Sequence, residues 1–301
     1  MQEISGKWLM KSFAGLEKIV KTDVVLADYT WFKIGGAADY FIEPTTMEEL
    51  TEVVNRCREN SIPMHILGTG ANLLIPDSGV RGAVIHLAQG EFTDIKFDKD
   101  GVTVGAAVDM GKLVIRCVRE GRSGLECLTG IPGSIGGCVK MNAGGAFGDI
   151  GSSVESVDVL TDEGEAFQRH KTDLAFAYRS TNINEKIITS ARFSLFEDDP
   201  HNIIKQVKQI WIYKKNTQPV GAGTAGCIFK NPRGLSAGAL IDKAGMKGKR
   251  VGGAEISSKH ANFIITDKTA TAFDVLRLID MTRDAVAREF SVNLEKEIIV
   301  W

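Results

Sequence analysis

The sequence predicts an α+β protein, mixed to about residue 200 and followed by a smaller α/β portion. Two features carry that reading. Short strand-like apolar runs and hairpin turns alternate with amphipathic helical stretches, and glycine, 32 residues in all, gathers in clusters between them. The clusters are Ile34-Gly35-Gly36, Gly68-Thr69-Gly70, the run from Gly130 to Gly148, Gly221 to Gly226, and Gly252-Gly253.

Taken in order, Trp8, Leu9, Phe13, Leu16, Ile19 and Val20 recur at helical spacing among charged residues, which predicts a short amphipathic helix. Ala38 to Glu43 reads as a strand, and a helix then runs to about Glu59 with Thr45 or Thr46 as its cap. Pro63 to Ile75 is a strand, a glycine turn and an apolar segment, and Gly82 to Ala88 is a further strand. Hairpins are expected at Asp94 to Val108, turning at Asp100-Gly101, and at Val154 to Phe167, turning at Glu163-Gly164. Between them Asp109 to Glu120 is a helix closed by Gly121. Ile187 to Phe196 is a strand. His201 to Lys215 is helical, with Ile203, Ile204, Val207, Ile210 and Trp211 on one face, until Gln218-Pro219-Val220-Gly221 breaks it. Ser236 to Ala244 is a short helix, Thr271 to Phe290 a long one opening on a Thr271–Asp274 capping box, and Val292 to Val300 a final strand.

Composition narrows the function. With 36 basic against 38 acidic residues the formal charge is −2, so no surface is built to neutralise a nucleic-acid backbone. Five cysteines, odd in number and without a C-x-x-C pair, read as reduced thiols of a cytoplasmic protein. Five histidines show no metal-ligand spacing, so no metal is expected. The start Met1-Gln2-Glu3 lacks the pattern of a signal peptide. No run approaches the roughly 20 apolar residues of a membrane span. The expectation is a monomer acting on small molecules.

Two glycine motifs stand out. In Leu67-Gly68-Thr69-Gly70-Ala71-Asn72-Leu73 a strand leads into small residues whose backbone N–H groups can converge on a diphosphate. Leu73 at the sixth position sets it apart from the dinucleotide fingerprint, and a plain turn explains the spacing as well. The second runs from Gly124 through Gly130-Ile131-Pro132-Gly133-Ser134-Ile135-Gly136-Gly137 to Met141-Asn142-Ala143-Gly144. So dense a glycine run is better explained by an extended cofactor passing under it than by turns alone.

Together with Thr30-Trp31-Phe32-Lys33-Ile34-Gly35-Gly36, these loops resemble the FAD-binding half of the vanillyl-alcohol-oxidase (PCMH) type flavoproteins. More narrowly, the chain resembles the UDP-N-acetylenolpyruvoylglucosamine reductase family in its shorter form. Ala177-Tyr178-Arg179-Ser180, Ala225-Gly226-Cys227-Ile228-Phe229-Lys230-Asn231-Pro232, Lys259-His260-Ala261-Asn262-Phe263 and Glu297 follow in that family's order, so the match spans about Thr30 to Trp301.

The resemblance implies two FAD-binding lobes (1–77 and 78–200), a smaller α/β substrate domain (201–291), and a C-terminal strand (292–301) returning to the second lobe. It implies non-covalent FAD, and NADPH as hydride donor to the enolpyruvyl double bond of UDP-N-acetylglucosamine enolpyruvate. FAD would be met by Ile34 and Gly35, by Gly68, Thr69, Gly70, Ala71, Asn72 and Leu73, and by Ile131, Pro132, Gly133, Ser134, Gly137, Asn142 and Ala143. Tyr178, Tyr213, Lys215, Asn231, His260 and Asn262 would meet the substrate. Hydride addition drives charge toward the substrate carboxylate, where a guanidinium gains strength in the transition state, so Arg179 is the expected clamp. Glu297, if protonated, would hydrogen-bond the developing enolate. Cys227 stands where the family pattern usually has serine; its thiol, with a reference pKa of roughly 8.5, is the expected proton donor. Thr217 replaces the family's usual lysine before Gln-Pro. Two other readings stay open on the residues alone: an O2-using flavin oxidase of the same fold, and a non-catalytic nucleotide-binding module.

Overall fold

Residues 10–301 are described in a computed structural model, and they divide into two compact units. Unit 1 comprises the described residues up to Val24, Ala38–Thr69 and Arg81–Trp211; unit 2 comprises Val25–Ala37, Gly70–Val80 and Ile212–Trp301. The expected three lobes thus give way to two bodies, because short stretches around residues 30 and 75 cluster with the C-terminal part of the chain.

Unit 1 is organised by a five-stranded sheet in the order Ala166–His170, Val154–Leu160, Ile187–Ser194, Gly101–Gly105, Ile95–Phe97, antiparallel throughout. Alternation sends Val157, Val159, Ala191, Phe193, Val102 and Val104 into the core. The Met110–Arg119 helix starts where the Asp109 carboxylate accepts from Lys112 N–H at 2.9 Å, and it buries Met110, Leu113, Val114, Cys117 and Val118. A second sheet, ordered Val20–Val25, Ala37–Ile42, Val80–His86, Met64–Leu67, ends in a parallel pair from Met64↔Ala83 to Leu67↔His86. The Met47–Glu59 helix begins at Thr46, whose hydroxyl accepts from Glu49 N–H, and it buries Leu50, Val53, Val54 and Cys57.

Unit 2 is built around the Ala272–Phe290 helix. Its first turn is closed three times over. Thr271 and Asp274 form the anticipated capping box, and Asp77 accepts from Ala272 N–H at 2.9 Å and Phe273 N–H at 3.4 Å. Leu278, Ile279 and Val286 of this helix share a core with Phe32, Ile228, Phe229, Ile241 and Ile256. A three-stranded sheet (Arg250–Val251, Ala254–Ile256, Ile264–Thr266) and the Ala237–Lys243 helix complete it.

Most expected elements are present, but three readings need correction. The N-terminal helix lies partly outside the described residues; within them, Met10–Phe13 is one 3-10 turn and Val20 opens a strand. Phe13 and Val20 are buried, so the apolar pattern reported burial rather than helix. The final strand shrinks from Val292–Val300 to Ile299–Val300, with Lys296 making a single bridge to Phe229. That strand pairs in parallel with Leu73–Leu74 rather than with any strand of 78–200. On the Pro200–Thr217 helix, Ile203, Val207 and Ile210 are buried but Trp211 is 42% exposed. The buried stripe, spaced i, i+4, i+7, i+11, continues to Lys214 instead.

Candidate functional site

In unit 1 the two glycine motifs meet. A Cβ on Gly68 would collide with Ser134 Oγ, so the strand-to-loop turn approaches the second motif with only a hydrogen between them. The second motif is tied down along its length: Met110 N–H donates to Gly133 O, Ile135 N–H to Val108 O and Gly136 N–H to Ala106 O, each at 2.9 Å. Gly133 sits at φ 151°, and a Cβ there would strike the Cys138 sulfur. Ile131 and Pro132 are half-buried, Ser134 is buried, and Gly137 is exposed on the first turn of the Ile135–Lys140 helix.

That helix ends at Asn142, buried, with φ 43°. Its side chain bonds to the protein at both ends: Nδ2 donates to Ala177 O at 2.9 Å and Oδ1 accepts from Gly151 N–H at 3.1 Å. Ala177 belongs to a hairpin in which Phe176–Ala177 pairs with Ser180–Thr181, and Tyr178-Arg179 is the two-residue turn. Arg179 occupies the left-handed region at φ 54°, with its guanidinium carbon 5.3 Å from the Tyr178 ring centroid. A long side chain there costs about 1–2 kcal/mol, which marks the turn as a place where side-chain identity outranks backbone comfort.

In unit 2 the sequence-distant motifs converge through the main chain. Glu297 N–H donates to Ile228 O at 2.7 Å, one residue beyond Cys227, and Lys230 N–H donates to Glu295 O at 2.8 Å. The segment holding Cys227 is fixed from its other side by Asn262, which is buried. Asn262 O accepts from Ile228 N–H, Oδ1 from Phe229 N–H, and Nδ2 donates to Phe229 O. Asn72 also grips this region, its Nδ2 donating to Glu297 O at 3.2 Å while its own carbonyl accepts from Ile299 N–H. Ile34 is held by Thr30, whose hydroxyl donates to Ile34 O, and Gly35, at φ 144°, lies against Ile75.

The remaining expected substrate contacts fall in unit 2 with structural tasks of their own. His260 Nδ1 accepts from Asn262 N–H at 3.2 Å, and burial holds its pKa below the ordinary histidine value. The ring is therefore neutral, with its proton on Nε2. Asn231 Oδ1 accepts from Ala237 N–H at the start of a helix. Tyr213 and Lys215 are exposed, and Lys215 O accepts from Lys259 Nζ, whereas Lys214 between them is buried.

Three of the cysteines, Cys57, Cys117 and Cys138, are buried thiols pushed up to about 12, mainly by desolvation. Cys127 and Cys227 are half-buried. Among the described residues no group of three or more metal-ligating side chains occurs, and no helix is long and apolar enough to cross a membrane.

Whether these residues fit an extended dinucleotide cofactor is tested by polar atoms that the protein leaves unsatisfied. In unit 1, Thr69 Oγ1 of the first motif and Glu126 Oε1 and Thr129 Oγ1 of the second are buried without a hydrogen-bond partner; in unit 2 the same is true of Thr224 Oγ1, three residues before Cys227. In unit 1 the two neutral hydroxyls at glycine-lined backbone suit the phosphates and carbonyls of FAD, the Glu126 carboxyl oxygen suits one of its hydroxyl donors, and the fit holds. Thr129 was not among the expected site residues; a lone hydroxyl inside a glycine run is the signal that points to it.

Comparison with known proteins decides the family. Residues 38–168 match the model of an FAD binding domain, and residues 218–301 match that of the UDP-N-acetylenolpyruvoylglucosamine reductase C-terminal domain. A UDP-N-acetylenolpyruvoylglucosamine reductase of Syntrophobacter fumaroxidans is 41% identical over 283 residues, covering 91% of this chain and 81% of its own length. The chain belongs to the UDP-N-acetylenolpyruvoylglucosamine reductase family. A second reductase, from Lachnoclostridium phytofermentans, is 39% identical over 94% of both chains. The crystal structure of UDP-N-acetylenolpyruvylglucosamine reductase from Thermus caldophilus superposes with a TM-score of 0.82 at 41% identity, covering 94% of this chain and 98% of that one. These matches bear out the expected α+β flavoprotein fold, the FAD cofactor and the reductase family.

Proposed function

We propose that this reductase converts the enolpyruvyl group of UDP-N-acetylglucosamine enolpyruvate to the lactyl ether of UDP-N-acetylmuramate, with NADPH as hydride source, and that it works as a cytoplasmic monomer. The observation that carries the mechanistic reading is the main-chain clasp that sets Glu297 beside the Cys227 segment. Bound FAD supplies two-electron hydride chemistry between NADPH and the substrate double bond. The glycine motifs with Thr69 and Thr129 hold it, and Ile34 and Gly35 contribute backbone.

Hydride reaches the terminal CH2 carbon of the enolpyruvyl group, and the electron pair of the double bond moves onto the carbon bearing the carboxylate. Arg179 binds that carboxylate, and its attraction grows as the charge spreads into an enolate-like state. Glu297, carrying its proton, donates a hydrogen bond to the same oxygens. Cys227 then passes its Sγ proton to the carboxylate-bearing carbon, which completes the lactyl ether, and the thiolate is reprotonated from solvent. Tyr178, Tyr213, Lys215, Asn231, His260 and Asn262 surround the substrate nucleotide in this reading. For Asn262 and His260 the support is indirect, through the segments their hydrogen bonds hold in place.

Substituting Cys227→Ala separates the two half-reactions. Bleaching of the flavin band by NADPH should stay within about twofold of the parent. Its return on adding the enolpyruvyl substrate should slow by roughly 10²- to 10⁴-fold. Unchanged turnover would remove Cys227 from the mechanism. Reoxidation by oxygen alone would favour the oxidase alternative, and purification without flavin would favour the binding module.

A further inference from the structure

Asn142 lies in the second glycine motif, and its position there marked it as a cofactor contact. Both ends of its amide bond inside unit 1, to Ala177 O and Gly151 N–H. Ala177 is two residues before Arg179, on the base of the hairpin whose turn Arg179 occupies. The other atom that Asn142 holds also bears on this hairpin. A Cβ on Gly151 would run into the Phe176 ring, so Phe176 packs directly on the peptide that Asn142 fixes. One buried side chain thus pins the hairpin base by a hydrogen bond to Ala177 and by steadying the platform under Phe176. Beyond that base only Tyr178 and Arg179 remain before the chain turns back.

We infer that Asn142 is a positioning residue for the carboxylate clamp: it sets the reach of Arg179 and does not itself serve as a contact of the cofactor. The inference rests on the assignment of Arg179 proposed above. Asn142 also stands where a helix stops. Asn142 follows the Ile135–Lys140 helix at φ 43°, donates to Val139 O and is followed by Ala143 N–H donating to Cys138 O, the bonding of a left-handed helix stop. If stopping the helix were its whole task, glycine would serve as well or better, since glycine reaches the left-handed region at no steric cost.

Asn142→Gly is therefore the deciding variant, read in the flavin-loaded protein by stopped-flow absorbance with NADPH and then with the enolpyruvyl substrate. Flavin content and the NADPH half-reaction should stay within about twofold, while the substrate half-reaction slows roughly 10- to 100-fold, the worth of one misdirected charge-assisted contact. Substrate affinity, followed without NADPH by the shift of the flavin band, should weaken in parallel. Asn142→Asp, which tolerates the same φ and keeps the acceptor for Gly151 but not the donor to Ala177, should behave alike. In an Arg179→Ala background, Asn142→Gly should cost no more than about threefold further, because both changes remove one interaction.

Loss of flavin or a slowed NADPH step in both Asn142 variants would overturn the inference and return Asn142 to the cofactor. Wild-type behaviour of both variants, with Arg179→Ala alone impaired, would overturn the positioning role and leave the clamp standing. Wild-type behaviour of Arg179→Ala itself would overturn the clamp, and the inference with it.

Discussion

In unit 1 the second glycine motif is bonded along its length to the chain around Ala106–Met110, which leaves a five-stranded antiparallel ladder, whereas in unit 2 the Cys227 segment depends on isolated bridges and one buried asparagine. A ladder is redundant. When one of its hydrogen bonds is lost, neighbours on both sides keep the register. Asn262 works differently: three of its atoms hold the main chain of two consecutive residues, Ile228 and Phe229, flanked only by the single Cys227–Phe263 and Phe229–Lys296 bridges. The two regions therefore reach similar order with different sensitivity to single substitutions.

The sharpest test of that contrast is Asn262→Ala. It strands the Phe229 N–H and C=O in a buried setting and should cost about 2–4 kcal/mol, two unmade hydrogen bonds at the usual penalty. Chemical unfolding followed by circular dichroism measures it. A loss below about 1 kcal/mol would mean the C-terminal clasp alone is enough to hold the segment. The first glycine motif offers an internal comparison, because the division between the units runs through it. At Gly70, φ is 63° and a Cβ would collide with Tyr29 O, a backbone obstacle. At Gly68 the obstacle is the Ser134 hydroxyl, which can rotate. Gly70→Ala should thus lower FAD affinity roughly 10- to 100-fold, and Gly68→Ala less than about 10-fold. Equal effects in a flavin-release titration would show that the obstacle's nature does not matter. The smallest effect concerns acidity. His260 is kept neutral by burial, so the unfolded chain binds its proton more readily and stability falls as pH drops below about 6.5. His260→Asn, which keeps an acceptor for Asn262 N–H, should flatten that part of the profile, and an unchanged profile would place the dependence elsewhere.

Legibility in the sequence followed the range of the interactions. The Thr46 cap, the Thr271–Asp274 box and both long hairpins rest on neighbours a few residues apart, and all were readable. The glycine motifs were readable as ligand loops because only glycine permits those approaches. What escaped was set by distant partners. The C-terminal strand was overdrawn because its apolar residues pack in a core while only Ile299–Val300 find a ladder partner. Asn72 and Asn142 sit in glycine loops and were expected to meet the cofactor, and no local pattern betrays that their amides also reach Glu297 O and Ala177 O. Lys214 and Lys215 both offered themselves as phosphate contacts at a helix end, because two adjacent lysines look alike until a helix face is chosen, and Lys214 proves to be the buried one.

The pairing of Leu73–Leu74 with Ile299–Val300 also constrains how the protein can be made. Asn72 and Glu297, bonded in the finished fold, are 225 positions apart. A ribosome adding about 5–20 residues per second leaves the earlier segment without its partner for on the order of 10–40 s. Throughout that interval the apolar edge at Leu73–Leu74 is open to other strands, a period in which a nascent chain is vulnerable to mispairing and to capture by chaperones. The hairpins of the large sheet in unit 1 close as they emerge. Assembly of the polypeptide is therefore sequential by design of its topology: the unit that carries Arg179 can be complete while the half that carries Cys227 is still being translated.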